Sequence, residues 1–367
     1  MSITKINENT EIDDIRSISD FKGISFSNFK KTDVKKELLN SLINSKIEPA
    51  CYWCAELICA GHYSDIWDII ILFYSKYIHL GNPKIASYIE LRIENFKTIV
   101  NNGYDNNELS MRNNGKIRHI FCEIMCILCD AKRKHSYNEI KIKKEEMDIT
   151  IIKDKFKAPN RYYIENIIKP EDPKELIVAI NELAYSISYE SKDIINACYW
   201  FEWILEFESI CKKRNEIIKC ARREFMFKLV DNKYQLDVIW LIWELFLDRA
   251  DNIELPIMKK IVTSLLSLFC LKYTSGCIRK RKYILYFIIA LFCEKVSFEE
   301  EIIRTEQKEL VQNILNKKDL IFRQIKTNEM SSKTNYLFKD DKSRNLEKTI
   351  EKLEKMNTFG ETFVPRL

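Results

Sequence analysis

The tetrapeptide Ala50-Cys51-Tyr52-Trp53 returns as Ala197-Cys198-Tyr199-Trp200, and each copy follows a Lys-Glu-Leu segment, at Lys36-Glu37-Leu38 and Lys174-Glu175-Leu176. A shared block built on Trp is unlikely by chance in a chain with six Trp residues. Self-similarity of this kind is the signature of an internal duplication, and it constrains the architecture more than any single residue does. Seven Gly and seven Pro among 367 residues sharpen the reading. Phosphate-cradling loops and β-turns consume glycine, so the scarcity favours helices joined by short connections. The expected fold is all-α: two tandem, internally duplicated five- to six-helix bundles, with an N-terminal extended strip and a C-terminal helical tail.

The spacing of apolar residues and breakers divides the chain into a leader over 1–32, a first helical repeat over 33–145, a linker over 146–171, a second repeat over 172–303 and an extension over 304–367. Thr32-Asp33, Asn82-Pro83 and Asp172-Pro173 read as helix starts, and Gly61 reads as a helix stop. The second repeat is expected to hold helices over 173–188, 192–212, 214–230, 235–250, 256–273 and 281–296. Counterparts align across the copies: Asp65-Ile66-Trp67 with Asp237-Val238-Ile239-Trp240, the Pro83 helix with the Pro256 helix, and Arg118–Ala131 with Lys282–Lys295. The longest apolar run, Tyr283 to Cys293, is about half of what a bilayer-spanning helix needs. No membrane span is therefore expected, and the polar, acidic start has no signal-peptide core.

No constellation reaches a reaction. The sequence contains neither G-x-x-x-x-G-K-[ST] nor G-x-G-x-x-G nor H-E-x-x-H, so nothing marks a nucleotide, dinucleotide or zinc-protease site. No catalytic residue and no cofactor is expected, and the chain reads as a non-enzyme. Two groups have the residue types of a zinc site: Cys51, Cys54, Cys59 and His62, then His119, Cys122, Cys126 and Cys129. Zinc requires four converging donors, whereas residues three and four apart on one helix form a stripe. Opposite Cys54 and Cys59 stand Phe201 and Glu206; opposite Cys122, Cys126 and Cys129 stand Tyr286, Ala290 and Cys293. Those are mostly core exchanges, so buried, reduced thiols without metal are the expectation. Spacing along each helix leaves open whether the two groups meet. The tryptophans at 53, 200, 203, 240 and 243 fall on apolar helical faces and read as core.

The net charge of +5 is spread along the chain. Lys132-Arg133-Lys134-His135 follows a helix, where positive charge is favoured by the dipole; Arg279-Lys280-Arg281-Lys282 opens one, where it is not. The second run is therefore a candidate contact for an anion, an acidic protein or nucleic acid. The remaining candidate contacts are apolar residues in extended settings: Phe21, Phe26 and Phe29 in the leader, a strip expected to pack on the body or on a partner, and Phe359 and Phe363 in the tail.

Phe21-Lys22-Gly23-Ile24-Ser25-Phe26, Lys36-Glu37-Leu38-Leu39 and the stretch from Glu48 through the first tetrapeptide to His62-Tyr63 resemble a widely shared uncharacterised family of nucleocytoplasmic large DNA viruses. The resemblance covers most of the chain and is best marked over 21–96. It implies a cytoplasmic virus-factory protein that extends to the virion, with capsid or replication proteins, or a second copy of itself, as partners. It carries over no catalytic residue. A shorter stretch, Ala50 through Gly61 and Phe73-Tyr74-Ser75-Lys76-Tyr77-Ile78-His79-Leu80-Gly81-Asn82-Pro83, is similar to the helical collar of clamp-loader-related replication and recombination ATPases. The ATPase portion is absent, so only the collar's scaffolding role is implied. The expected function is thus a non-enzymatic helical scaffold acting in particle assembly or replication. The alternatives are a collar-like accessory factor that binds DNA or a replication protein, and a zinc-binding module.

Overall fold

The computed structural model describes residues 10–104, 107–148, 150–226, 229–330 and 349–353. It is all-α, about 64% helical, with no β-strand among the described residues. Contacts divide it into two compact units: residues 1–73, 91–132 and 301–367 form unit 1, and residues 74–90 and 133–300 form unit 2. Neither unit is one continuous stretch. The boundaries read from the sequence treat each copy as contiguous, and so do not coincide with these units.

Unit 1 contains α1 (Lys31–Ile43), α2 (Ile47–Cys59), α3 (Tyr63–Phe73), the second half of α4 (Ile85–Asn101), α5 (Gly115–Asp130) and α11 (Lys308–Lys326). Its centre is α2, in which every residue from Pro49 to Cys59 is buried. Helices α1, α3, α5 and α11 all pack against it. Helix α11 lies in the extension over 304–367. It nevertheless buries Val311, Leu315, Phe322 and Ile325 against α5 and α2. The extension is therefore part of this unit's core. The N-terminal segment closes the same unit through Ile15 N–H to the Met330 carbonyl at 3.1 Å and Met330 N–H to Asp14 Oδ2 at 2.9 Å.

Unit 2 contains the π-helical turn Tyr74–Ile78, the first residues of α4, then α6 (Ile177–Ser186), α7 (Ile194–Lys213), α8 (Ile239–Asp251), α9 (Pro256–Cys270) and α10 (Cys277–Cys293). Helix α10 is buried without interruption from Ile284 to Phe292, which accounts for its continuous apolar run. No helix among the described residues is long and apolar enough to cross a membrane. The duplicated blocks sit at equivalent places. Helix α1 packs on α2 and α6 on α7, while α5 packs on α2 and α10 on α7. The Tyr and Trp rings of each block meet edge-on, at 5.1 Å in one and 5.4 Å in the other. The five tryptophans assigned to the core are each 1% exposed or less.

Four local expectations change. Asn82-Pro83 lies in a turn ahead of α4, which begins at Ile85. Helix α1 begins at Lys31, so Asp33 lies in its first turn and does not cap it. Asp172 caps no helix either. Its carboxylate accepts from Lys169 N–H at 2.8 Å and Ala221 N–H at 2.9 Å, and pairs with the fully buried Arg223 at 2.7 Å. The helix expected over 214–230 does not form: α7 ends with Asn215 left-handed at φ 61, and Glu216 N–H returns to the Cys211 carbonyl. The stretch 216–223 is without helix, with Ala221 and Arg223 committed to Asp172 and Arg223 also paired with Glu244 at 2.6 Å.

Gly61 does stop α2. Its φ is 77; its N–H bonds the Ile58 carbonyl, and His62 N–H bonds the Leu57 carbonyl, the paired closure of a helix C-terminus. A Cβ at this position would sit 3.3 Å from Leu109 Cδ2. Gly61→Ala is expected to lower stability by about 1–2 kcal/mol, since an L-residue is strained in the left-handed region. Urea unfolding of both proteins measures the difference, and an unchanged midpoint would contradict this account of the helix end.

Candidate functional site

The apolar strip of the leader is used up inside unit 1. Phe21 and Phe26 are fully buried and Phe29 is 6% exposed. Phe21 and Phe26 stack at 5.9 Å, and Arg16 lies over both rings at 4.6 and 4.7 Å. Phe29 meets Trp53 edge-on at 5.9 Å. The strip is thus a core element and offers no contact surface. Between these rings the chain turns, and Glu56 of α2 holds the turn. Its buried carboxylate accepts from Ser25 Oγ at 2.9 Å, Ser27 N–H at 3.0 Å, Ser27 Oγ at 2.5 Å and Tyr52 OH at 3.3 Å. Burial pushes its pKa up, and the donors from Ser27, Ser25 and Tyr52 oppose that rise.

The basic run of α10 divides. Arg281 is buried, and its Nη1 donates to the Phe269 and Leu271 carbonyls at 2.8 and 2.6 Å, closing the end of α9. Lys282 is buried between Glu139 and Glu202, and Tyr286 OH donates to Glu202 Oε1 at 2.8 Å. Arg279 and Lys280 alone of the four are exposed, and Arg279 donates to Ser209 Oγ at 3.0 Å. Positive charge at this helix start is tolerated because half of it is neutralised or spent on carbonyls inside unit 2. Phe359 and Phe363 lie outside the described residues.

The two thiol groups do meet. Cys51 of α2 and Cys122 of α5 place their sulfurs 3.5 Å apart. With Cys126, one turn further along α5, they form a trio of buried sulfurs all within 4.8 Å of one another. The i, i+4 spacing of Cys122 and Cys126 puts two thiols on the α5 face that packs against α2. Cys51 supplies the third from the facing helix. The contacts among the three sulfurs lower the Cys122 pKa and push Cys51 and Cys126 up. Cys51 and Cys122 line a small cavity with Cys54, Ile58, Phe322, Arg118 and Lys318. His62 is engaged elsewhere, its Nε2 2.7 Å from the Ile24 carbonyl. His119 is exposed on α5, and Cys59 and Cys129 are not part of the trio. Spacing within one helix revealed half of this arrangement. The pairing of α2 with α5, which completes it, is a long-range contact that no local pattern encodes.

Unit 2 also shows a feature that apolar periodicity passes over. Tyr162 is 70% exposed and Tyr189 is 77% exposed. Tyr163 packs edge-on against Tyr185 at 5.1 Å and donates to Glu190, the residue after Tyr189, at 2.5 Å. Ile195, in the first turn of α7, is 59% exposed.

No protein-family model, curated protein or solved structure matches this chain.

Two outcomes follow from the buried titratable groups. Glu56→Ala is expected to cost at least about 3 kcal/mol, because four buried donors lose their acceptor. Glu56→Gln is expected to cost less, and equal, negligible losses in urea unfolding would remove Glu56 as the tie between leader and α2. In unit 2, His79 is fully buried beside Phe287 at 4.9 Å, with no hydrogen-bond partner for either ring nitrogen among the described residues. Burial lowers its pKa from 6.5 to about 4. The unfolded chain therefore binds the extra proton first, so this contribution is intact above about pH 6.5 and is lost as pH falls toward 4. Between pH 7 and pH 5 the wild type is expected to lose about 2 kcal/mol more than His79→Gln. Parallel pH profiles for the two proteins would show that His79 is not buried in its neutral form.

Proposed function

We propose that the protein is a non-enzymatic helical interaction protein of a large DNA virus, acting in particle assembly or in the replication machinery. The observation that carries the interaction reading is the aromatic surface of unit 2. Exposed tyrosines held on a rigid helical body present large contact area at low entropic cost, and Tyr is enriched among residues that dominate binding energy. The viral setting rests on the sequence resemblance over 21–96. Burial of Arg281 and Lys282 withdraws half of the basic run on which the nucleic-acid alternative relies.

A photo-crosslinking side chain at position 189 of the full-length chain, expressed during infection, is expected to join it to a viral capsid or replication protein. The double variant Tyr162→Ala, Tyr189→Ala should weaken that complex by about tenfold or more. Mass spectrometry of purified particles distinguishes the two settings: a particle protein is present in stoichiometric amount, and a replication protein is not. Absence from particles, combined with no crosslink to any viral protein, would defeat the proposal.

A further inference from the structure

The geometry points to a three-thiolate site in unit 1, formed by Cys51, Cys122 and Cys126, that binds one thiophilic d10 cation. A metal–thiolate bond is about 2.3 Å long, so three sulfurs around one such ion stand about 4 Å apart. The trio already spans that value, with Cys51 and Cys122 at 3.5 Å and all pairs within 4.8 Å. Binding then requires small side-chain rotations and no movement of either helix. A Cys51–Cys122 disulfide, by contrast, needs the sulfurs to close to about 2.05 Å and leaves Cys126 without a role.

Three further observations favour an ion over simple packing of small apolar thiols. Core packing on the α5 side of this helix crossing does not need sulfur: where unit 1 has Cys122 and Cys126, the duplicated α10 has Tyr286 and Ala290, both fully buried, while Cys51 keeps a thiol counterpart in Cys198. The adjoining cavity, about 10 Å³, is lined by two cationic residues, Arg118 and Lys318. Bound Cu(I) with three thiolates carries a net charge of −2, and bound Zn(II) carries −1, so positive neighbours offset the charge that binding buries. Arg118 is 3% exposed and is held in place by its Nε donating to the Arg112 carbonyl at 2.7 Å and by Phe322, whose ring lies 4.1 Å away.

The chemistry of the donors sets the class of ion. Soft thiolates in a dry setting select Cu(I) and Zn(II) among the common cations. Three sulfurs complete a trigonal shell for Cu(I), whereas structural Zn(II) takes four donors. Cys54, lining the same cavity, is the candidate fourth. No catalysis is implied: the ion would cross-link α2 to α5.

The test uses the reduced full-length protein under anaerobic conditions, titrated with Cu(I) and separately with Zn(II) against a chromophoric chelator. One equivalent of Cu(I) is expected to bind. Cys126→Ser should weaken it by roughly 100-fold or more, at least the loss seen when a supporting partner of a metal ligand is removed. Cys270→Ser, a buried thiol of unit 2, should leave it unchanged. Cys54→Ser should spare Cu(I) and, if zinc also binds, abolish the zinc site. X-ray absorption on the loaded wild type should show three sulfurs at about 2.3 Å; this measurement decides the matter should Cys126→Ser fail to fold. Binding of neither ion by the wild type, equal affinity in wild type and Cys126→Ser, or a shell of two sulfurs would overturn the site.

Discussion

From Pro49 to Cys59 helix α2 has no solvent face, and the rest of unit 1 follows from that constraint. A helix buried on one stripe needs a single partner layer; a helix buried throughout needs partners all round and must satisfy every polar group it carries. Helices α1, α3, α5 and α11 supply the layers. The one carboxylate in the buried stretch, Glu56, would be costly if left unpaired. It is satisfied by the leader, whose serines reach it only because Phe21, Phe26 and Phe29 anchor the turn between them. Leader, α2 and α11 are thus one packing problem, although hundreds of residues separate the ends of the chain.

Unit 2 meets the same problem on α10 with different polar chemistry. Its buried charges lie near the start of the helix, where Arg281 occupies the carbonyls that end α9 and Lys282 is matched by Glu139 and Glu202. Tyr286 adds its hydroxyl to the same carboxylate. Burying charge is tolerable only with partners in place, and these networks explain why a run that reads as a surface patch belongs to the interior. A second buried network, Asp172–Arg223–Glu244, fixes a stretch without helix and so determines where helix is absent.

Much of the fold was legible. Apolar periodicity placed the helices of the second repeat, except the one over 214–230, to within a few residues, Gly61 marked the end of α2, and the repeated tetrapeptide identified the equivalent positions in the two units. The failures share a cause. The span 214–230 has helical composition, but Asn215 terminates α7 and long-range pairing to Asp172 then outweighs local propensity. Helix α11 was obscured because only one narrow face is apolar and the rest is charged. The strip is left open between body and partner, and the basic run reads as surface, because their partners, Trp53, Glu56, Glu202 and the carbonyls closing α9, lie far away in sequence. Each error replaced a tertiary partner with solvent.

The thiols show how far comparison of duplicated positions can carry an argument. Aligning Cys122 and Cys126 with Tyr286 and Ala290 shows that the helix crossing accepts apolar or aromatic residues, which from sequence alone suggests that sulfur there is incidental. With the structure in view, the same comparison weighs the other way. If a Tyr and an Ala suffice to fill the equivalent space beside α7, packing does not explain why unit 1 adds two α5 sulfurs to the thiol that both copies carry at Cys51 and Cys198, bringing three within 4.8 Å of one another. Substitution between copies demonstrates that a residue is dispensable for the fold. Once its side chain is found converging with others of the same chemistry, that dispensability is what makes a second role for it worth testing.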